Sequence, residues 1–302
     1  QFEAGLDEFF SQILGRLDAQ KVLNTNLHDI FKSLEEERND PQLAIWRRFE
    51  ALLGREPDEA NPKIVEQLIG DAREAGTDAV QEVAAALAQG ADTITLKDLK
   101  VLARVKGFEA SARDAVRLRN HEGLRPSGNI PAWLIGTRAA RMLRDQERLN
   151  GKPILDKELA ALAGTSVSVL ESSKDRFAEF SFIVDDQKDT SHLVLRSKWH
   201  EGRRFELARL LGDRLLAPLS NRLFPATRAY TYRQKMQRAF AAEFLSPFEE
   251  VEAILGDDYS SEGQRDAAEH FGVSPLTIRT LLVNHHRIPS EELDEDFDVA
   301  VA

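Results

Sequence analysis

The chain contains no cysteine in 302 residues. That absence excludes disulfides and cysteine-based zinc sites, and it is compatible with a cytoplasmic home. No run approaches the ~18 consecutive apolar residues of a membrane-spanning helix, so none is predicted. Residues 1–5 lack the basic start and apolar run of a signal peptide. The chain opens on Gln1 instead of Met, so a preceding segment is expected. Three chemical signatures are also missing: a Gly-x-x-x-x-Gly-Lys-Ser/Thr phosphate loop, a Gly-x-Gly-x-x-Gly turn and a Gly-x-Ser-x-Gly elbow. There is no internal repeat.

What is present is an acidic chain of ordinary globular composition, 42% hydrophobic and 30% charged, with a net charge of −11. Such a balance argues against a protein that coats nucleic acid indiscriminately. The charge is uneven. Residues 289–302 carry six acids and no base, and are expected to be a disordered tail. Residues 196–238 hold eleven Lys or Arg against three acids, a net of +8. That basic block reads as a solvated face with local ion pairs, or as a site for phosphate or an acidic partner.

The fold expected is mainly α (α+β). Residues 1–125 read as an all-helical region with no strand pattern, suited to packing or to contact with a partner. Leu43, Ile45, Trp46, Phe49, Leu52 and Leu53 recur at helical spacing. Asn61-Pro62 opens a helix with Pro at its first position. Residues 78–87 form an Ala-rich helix closed by Gly90, and Thr95 is an N-cap. Residues 123–131, with two Gly and two Pro, are the clearest linker. Beyond it, helices are expected at 133–149, 205–216, 231–245 and 248–255. A small sheet of about three strands is expected from 167–170, 180–184 and 192–195, the last two joined by a polar turn.

Three stretches then carry a resemblance. Residues 203–208 read Arg-Arg-Phe-Glu-Leu-Ala, 240–247 read Phe-Ala-Ala-Glu-Phe-Leu-Ser-Pro, and 268–275 read Ala-Glu-His-Phe-Gly-Val-Ser-Pro. In that order and spacing they resemble the ImmA/IrrE-type metallopeptidases of bacteria, over residues 126–288. The resemblance implies a zincin-like helical domain that ends in a helix-turn-helix element at 263–287.

A zinc hydrolase of this kind needs His-Glu-x-x-His, because one helical turn aligns two imidazoles on a single metal. It also needs a third ligand, placed by the resemblance six residues before Phe240. Here the two His positions fall on Arg209 and Asp213, the general-base position on Leu210 and the third-ligand position on Gln234. Phe205, Ala208, Gly212 and Leu215 still fit the frame. A guanidinium repels a dication, leucine moves no proton, and one carboxylate does not hold zinc. No metal, cofactor or catalytic residue is therefore expected. Arg209 and Asp213, four apart on one face, are expected to pair where the metal would sit, with Gln234 bonded to the pair. No two histidines have metal-ligand spacing.

In the helix-turn-helix element, Phe271, Val273, Ile278 and Leu281 or Leu282 are the expected core. Thr277, Arg279, Thr280 and Asn284 are the candidate groove-facing residues, with His286 and Arg287 near phosphate.

The expected function is that of a pseudo-metallopeptidase. It would be a cytoplasmic binding or regulatory protein of a bacterium, phage or mobile element, in a repressor-control, stress or toxin–antitoxin circuit. A protein partner, a repressor or another regulator, is expected; nucleic acid is the second candidate and no membrane is implied. Two alternatives are a DNA-binding transcriptional regulator using the helix-turn-helix, and a metallopeptidase with a non-standard metal site.

Overall fold

The computed structural model describes residues 2–22, 25–88, 94–119, 124, 130–173, 178–185 and 190–293. Among them stand thirteen α-helices and one four-stranded antiparallel sheet, a mainly α (α+β) fold. Two compact units divide the chain, Gln1–Ile69 and Gly70–Ala302. The division falls within a helix, and the expected boundary at 125/126 lies inside the second unit.

The first unit holds α1 (Phe2–Ala19), α2 (Leu27–Asn39), α3 (Pro41–Leu52) and the start of α4 (Pro62–Ala75). Asp40 caps α3, accepting from the Gln42 and Leu43 amides at 2.8 and 3.3 Å, with Pro41 at the first position. Glu50, on the same helix, is buried and accepts from Arg47 at 2.7 Å and from the Asp58 amide at 3.0 Å. The Asp58 carboxylate takes the Arg47 fork at 2.9 and 3.0 Å.

The second unit continues with α5 (Thr77–Leu87), α6 (Leu96–Lys106), β1 (Phe108–Ser111), α7 (Ala132–Gln146) and α8 (Asp156–Leu162). Next come β2 (Ser181–Asp185), β3 (Thr190–Val194), α9 (His200–Leu216), β4 (Leu223–Ala226) and α10 (Tyr232–Leu245). It closes with α11 (Phe248–Leu255), α12 (Ser261–Phe271) and α13 (Pro275–Asn284). Thr95 and Asp98 form a capping box on α6, and the Leu96 amide donates to Asp71 at 2.9 Å.

The sheet order is β1-β3-β2-β4. Ile183 lies opposite Leu193 on one side and Phe224 on the other. Two strands depart from expectation. Phe108–Ser111 breaks the all-helical reading of residues 1–125 by pairing with β3. Leu223–Ala226 contains Pro225, which an edge strand tolerates because one side of its backbone needs no ladder donor. Conversely, Val167–Leu170 is a 3-10 turn capped by Ser166, too short for its β-branched residues to decide its state.

One apolar core runs through this unit. It joins Ile183 and Leu193 of the sheet to Leu207, Leu210 and Leu211 of α9, Phe240 and Phe244 of α10, and Phe271, Ile278 and Leu282 of the last helix pair. Helices pack closely where glycine allows. A Cβ on Gly136 would lie 2.3 Å from the Met236 carbonyl oxygen, and one on Gly212 2.5 Å from the Phe240 ring. The stop at Gly90, the linker at 123 and 125–129, the polar-turn residues 186–189 and the tail at 294–302 lie outside the described residues. Residues Ser290–Leu293, expected within the tail, make a 3-10 turn.

Candidate functional site

The four positions singled out by the resemblance meet at the crossing of α9 and α10. Arg209, Leu210 and Asp213 come from the middle of α9, and Gln234 from the first turn of α10, which Thr231 caps. Leu210 is fully buried in the apolar core. The other three belong to a buried polar cluster with a definite bonding order.

Arg209 donates from one terminal nitrogen to the Thr227 carbonyl oxygen at 2.7 Å, to Gln234 Oε1 at 2.6 Å and to Gln237 Oε1 at 3.4 Å. Gln234 Oε1 also accepts from the Thr227 amide at 2.9 Å. The Nε2 atoms of Gln234 and Gln237 both donate to the Pro225 carbonyl oxygen at 3.0 Å. Those glutamines therefore tie α10 to β4 and to the residue that follows it.

The expected Arg209–Asp213 ion pair does not form. Asp213 instead receives a two-nitrogen fork from Arg233 of α10, 2.6 Å on each arm. The fork satisfies both carboxylate oxygens at once, which a single contact from Arg209 on the same helix would not. Arg209 is left a buried cation held by neutral oxygens, its Nε unpartnered. Burial, aided by nearby Arg238, pulls its pKa down to about 9, still charged at neutral pH.

A further acid joins from α5. Glu82 is buried and accepts from Thr231 Oγ1 at 2.6 Å. Burial raises its carboxyl above the ordinary value, against the opposing effects of Thr231, Gln234 and Arg233. Arg233, Gln237, Thr227 and Glu82 were not foreseen as parts of the site. For Glu82 a signal existed: it is an acid inside the Ala-rich apolar run of 79–87. Arg233 had none beyond lying next to Gln234.

The cluster is largely buried, with no exposed surface on Asp213, Gln234 or Gln237. A groove of about 770 Å³ is lined elsewhere, by Glu109, Ser111, Asp114, Thr165, Ser166 and Thr190 among others. Among the described residues, no group of three His, Asp or Glu side chains is placed to hold a metal. His200 opens α9, five residues before the expected start at 205, and bonds Asp156 at 2.7 Å.

Comparison brings no relative. No family model, curated protein or solved structure matches this chain.

The basic block of 196–238 proves to be largely internal. Arg203 donates to the Val169 and Ser197 carbonyls at 2.8 and 3.0 Å. Arg204 donates to the Gly272 and Ile154 carbonyls at 2.9 and 2.7 Å and pairs with Asp156. Arg214 pairs with Asp185, and Arg196 with Glu206 at 3.3 Å. A guanidinium offers five donors in a fixed plane, so it can clamp several backbone oxygens at once. Of the eleven cations, Lys198, Arg222, Arg228 and Lys235 are exposed.

The helix-turn-helix element forms as α12 and α13, and Phe271, Val273, Ile278, Leu281 and Leu282 are buried. Its left-handed turn residue, Gly272, lies against Arg204. Of the candidate groove and phosphate residues, Asn284 and His286 are exposed and the other four are engaged locally. The Thr277 amide donates to Ser274 Oγ at 3.3 Å, Arg279 to Gln264 at 3.1 Å, and Thr280 to the Leu276 carbonyl at 2.7 Å. Arg287 pairs with Glu252 and lies over the Phe248 ring, on which His285 also stacks at 3.5 Å. These contacts bind the pair to α11 and α9.

Proposed function

We propose that this chain is a non-catalytic relative of the ImmA/IrrE-type metallopeptidases, a pseudoenzyme acting as a regulatory binding protein in the bacterial or mobile-element cytoplasm. One observation carries the reading. A buried, charged guanidinium, Arg209, occupies the first ligand position and bonds Gln234, the third, while Asp213 at the second is taken by Arg233. That arrangement fills a metal site with positive charge and spends its acceptors on internal donors. Leu210, at the general-base position, has no proton to move. No helix among the described residues is long and apolar enough to cross a membrane.

The partner in this reading is a protein, a repressor or another regulator, and it is met at the surface because the cluster itself is largely buried. The alternative of DNA contact through Thr277, Arg279, Thr280 and Arg287 is weakened by the engagement of their side chains within the domain. The alternative of a displaced metal site would need ligands other than these four.

Metal analysis by mass spectrometry of purified full chain tests the proposal. The expected result is no stoichiometric zinc or manganese in the parent. Zinc binding is expected in the folded variant carrying Arg209→His, Leu210→Glu, Asp213→His and Gln234→Glu. Stoichiometric metal in the parent, or a folded restored variant that ignores zinc, would sink the pseudoenzyme reading.

A further inference from the structure

A second feature of α10 is independent of the metal-site reading. Between Asp213 and Glu243 the chain has no acid, although acids make up 51 of its 302 residues. Two of its three tyrosines fall in that interval, at 230 and 232, among Arg228, Lys235 and Arg238. Folding joins Arg238 to Tyr230 and Tyr232 to the start of α7.

The links are direct. The Arg238 guanidinium lies over the Tyr230 ring, 5.6 Å from its centroid, and donates to the Ala229 carbonyl at 2.7 Å. Tyr230 remains 72% exposed, so it offers ring surface to solvent. Tyr232 donates its hydroxyl to the Ile130 carbonyl at 2.8 Å, which seats it beside the first turn of α7. Trp133, on that turn, is 58% exposed and Tyr232 41%. Lys235 follows Tyr232 by three residues and shares its helical face. Arg228 and Lys235 are exposed. Among the described residues, the acids of α5 that act here are Asp78 and Glu82. Both act on Arg233, which Asp213 already neutralises, and Glu82 also acts on Arg238.

We propose that Tyr230, Tyr232 and Trp133, with Arg228, Lys235 and Arg238, form a binding surface for single-stranded nucleic acid. Flat rings held by a backbone bond or by a guanidinium are stacking platforms for unpaired bases, and the interleaved cations meet the phosphates. Positive charge alone would suit an acidic peptide equally. The three exposed rings favour bases, because every base presents an aromatic face to stack on them and an acidic side chain does not. An anionic membrane would call for aliphatic bulk beside the rings, and the residues between Arg228 and Lys235, apart from the two tyrosines, are Ala, Thr, Arg and Gln. The overall charge of −11 predicts weak, salt-sensitive binding instead of tight coating.

Fluorescence anisotropy of the full chain with labelled oligo-U and oligo-dT tests this, against a duplex, polyglutamate and anionic phosphatidylserine vesicles as competitors. Both single strands are expected to bind, and a preference for oligo-U would assign the ligand to RNA. Tyr230→Ala is expected to weaken binding at least about fivefold, the low end for removal of one base stack. The pair Arg228→Glu and Lys235→Glu is expected to flatten the salt dependence by about 0.7 in log–log slope for each phosphate no longer neutralised. Melting curves of these surface variants should match the parent. Absence of binding at ~100 µM protein in low salt would overturn the proposal. So would equal binding by the folded variants, or stronger competition by the duplex, polyglutamate or vesicles.

Discussion

Arg233 grips Asp213 with two nitrogens, 2.6 Å on each arm, across the crossing of α10 and α9. That grip decides the electrostatics around it. Asp213 has no accessible surface and its charge is fully answered from the neighbouring helix. Arg209, one turn away on α9, then relies on the oxygens of Thr227, Gln234 and Gln237. The two cations thus differ in kind: one is half of an ion pair, the other is solvated by amides.

A double-mutant cycle reads this difference. Asp213→Asn is expected to cost about 3–5 kcal/mol of unfolding free energy, because it strands the Arg233 charge. Combined with Arg233→Met it should recover a large part of that stability. Combined with Arg209→Met, the two effects should simply add. Urea unfolding of the four variants and the parent measures both couplings, and strong coupling of Asp213 to Arg209 would contradict the bonding order described.

Arg204 ties the last helix pair to α9 through the Gly272 and Phe271 carbonyls. Arg204→Met leaves buried acceptors without donors, at about 1–3 kcal/mol. Hydrogen exchange should then quicken in α12 and α13 well before it quickens in the sheet. Unchanged protection in both helices would show that the apolar contacts of Phe271 and Ile278 suffice.

Glu82 makes a pH-dependent contribution whose sign follows from its raised pKa. A carboxyl that is harder to ionise when folded favours the folded state while protonated. Its contribution is full below the unfolded value, ordinarily 4.5, and is lost as pH rises through the higher folded value. Glu82→Gln keeps an oxygen for Thr231 and removes the charge. The melting temperature of the variant, relative to the parent, should therefore be higher at about pH 8 than at about pH 4. An identical difference at both pH values would mean that Arg233 fully compensates the burial.

Two glycines test helix packing. Gly136→Ala aims a methyl at the backbone oxygen of Met236, and Gly212→Ala aims one at the Phe240 ring. Overpacking costs typically about 1–3 kcal/mol, and a ring can tilt where a backbone carbonyl cannot. Gly136→Ala is expected to be the more destabilising by thermal melt. The reverse order would place the rigid contact at α9 and not at α7.

Local chemistry made much of the fold legible. Thr95 with Asp98, and Ser274 with Pro275, carry helix starts within three residues of chain, and both act as caps. The helices expected at 205–216, 231–245 and 248–255 stand as α9, α10 and α11, and the pair implied by the resemblance as α12 and α13, because a helix bonds itself and needs only its own sequence. The β2–β3 pairing was readable from two β-rich runs close in sequence. By contrast, Phe108–Ser111 lies 79 to 85 residues from its partners, and Leu223–Ala226 carries a proline, so neither declares itself a strand locally.

The sequence by itself determined that Arg209, Leu210, Asp213 and Gln234 stand where the resemblance places His, Glu, His and a third ligand, so no helix geometry makes a His-Glu-x-x-His set from them. Only the tertiary structure decided where the charges went. An ion pair depends on which donor reaches the carboxylate with the better geometry, and that donor, Arg233, comes from another helix. For the same reason a run of arginines that reads as a basic surface became, on folding, largely a set of internal clamps on backbone oxygens and carboxylates, leaving Lys198, Arg222, Arg228 and Lys235 exposed.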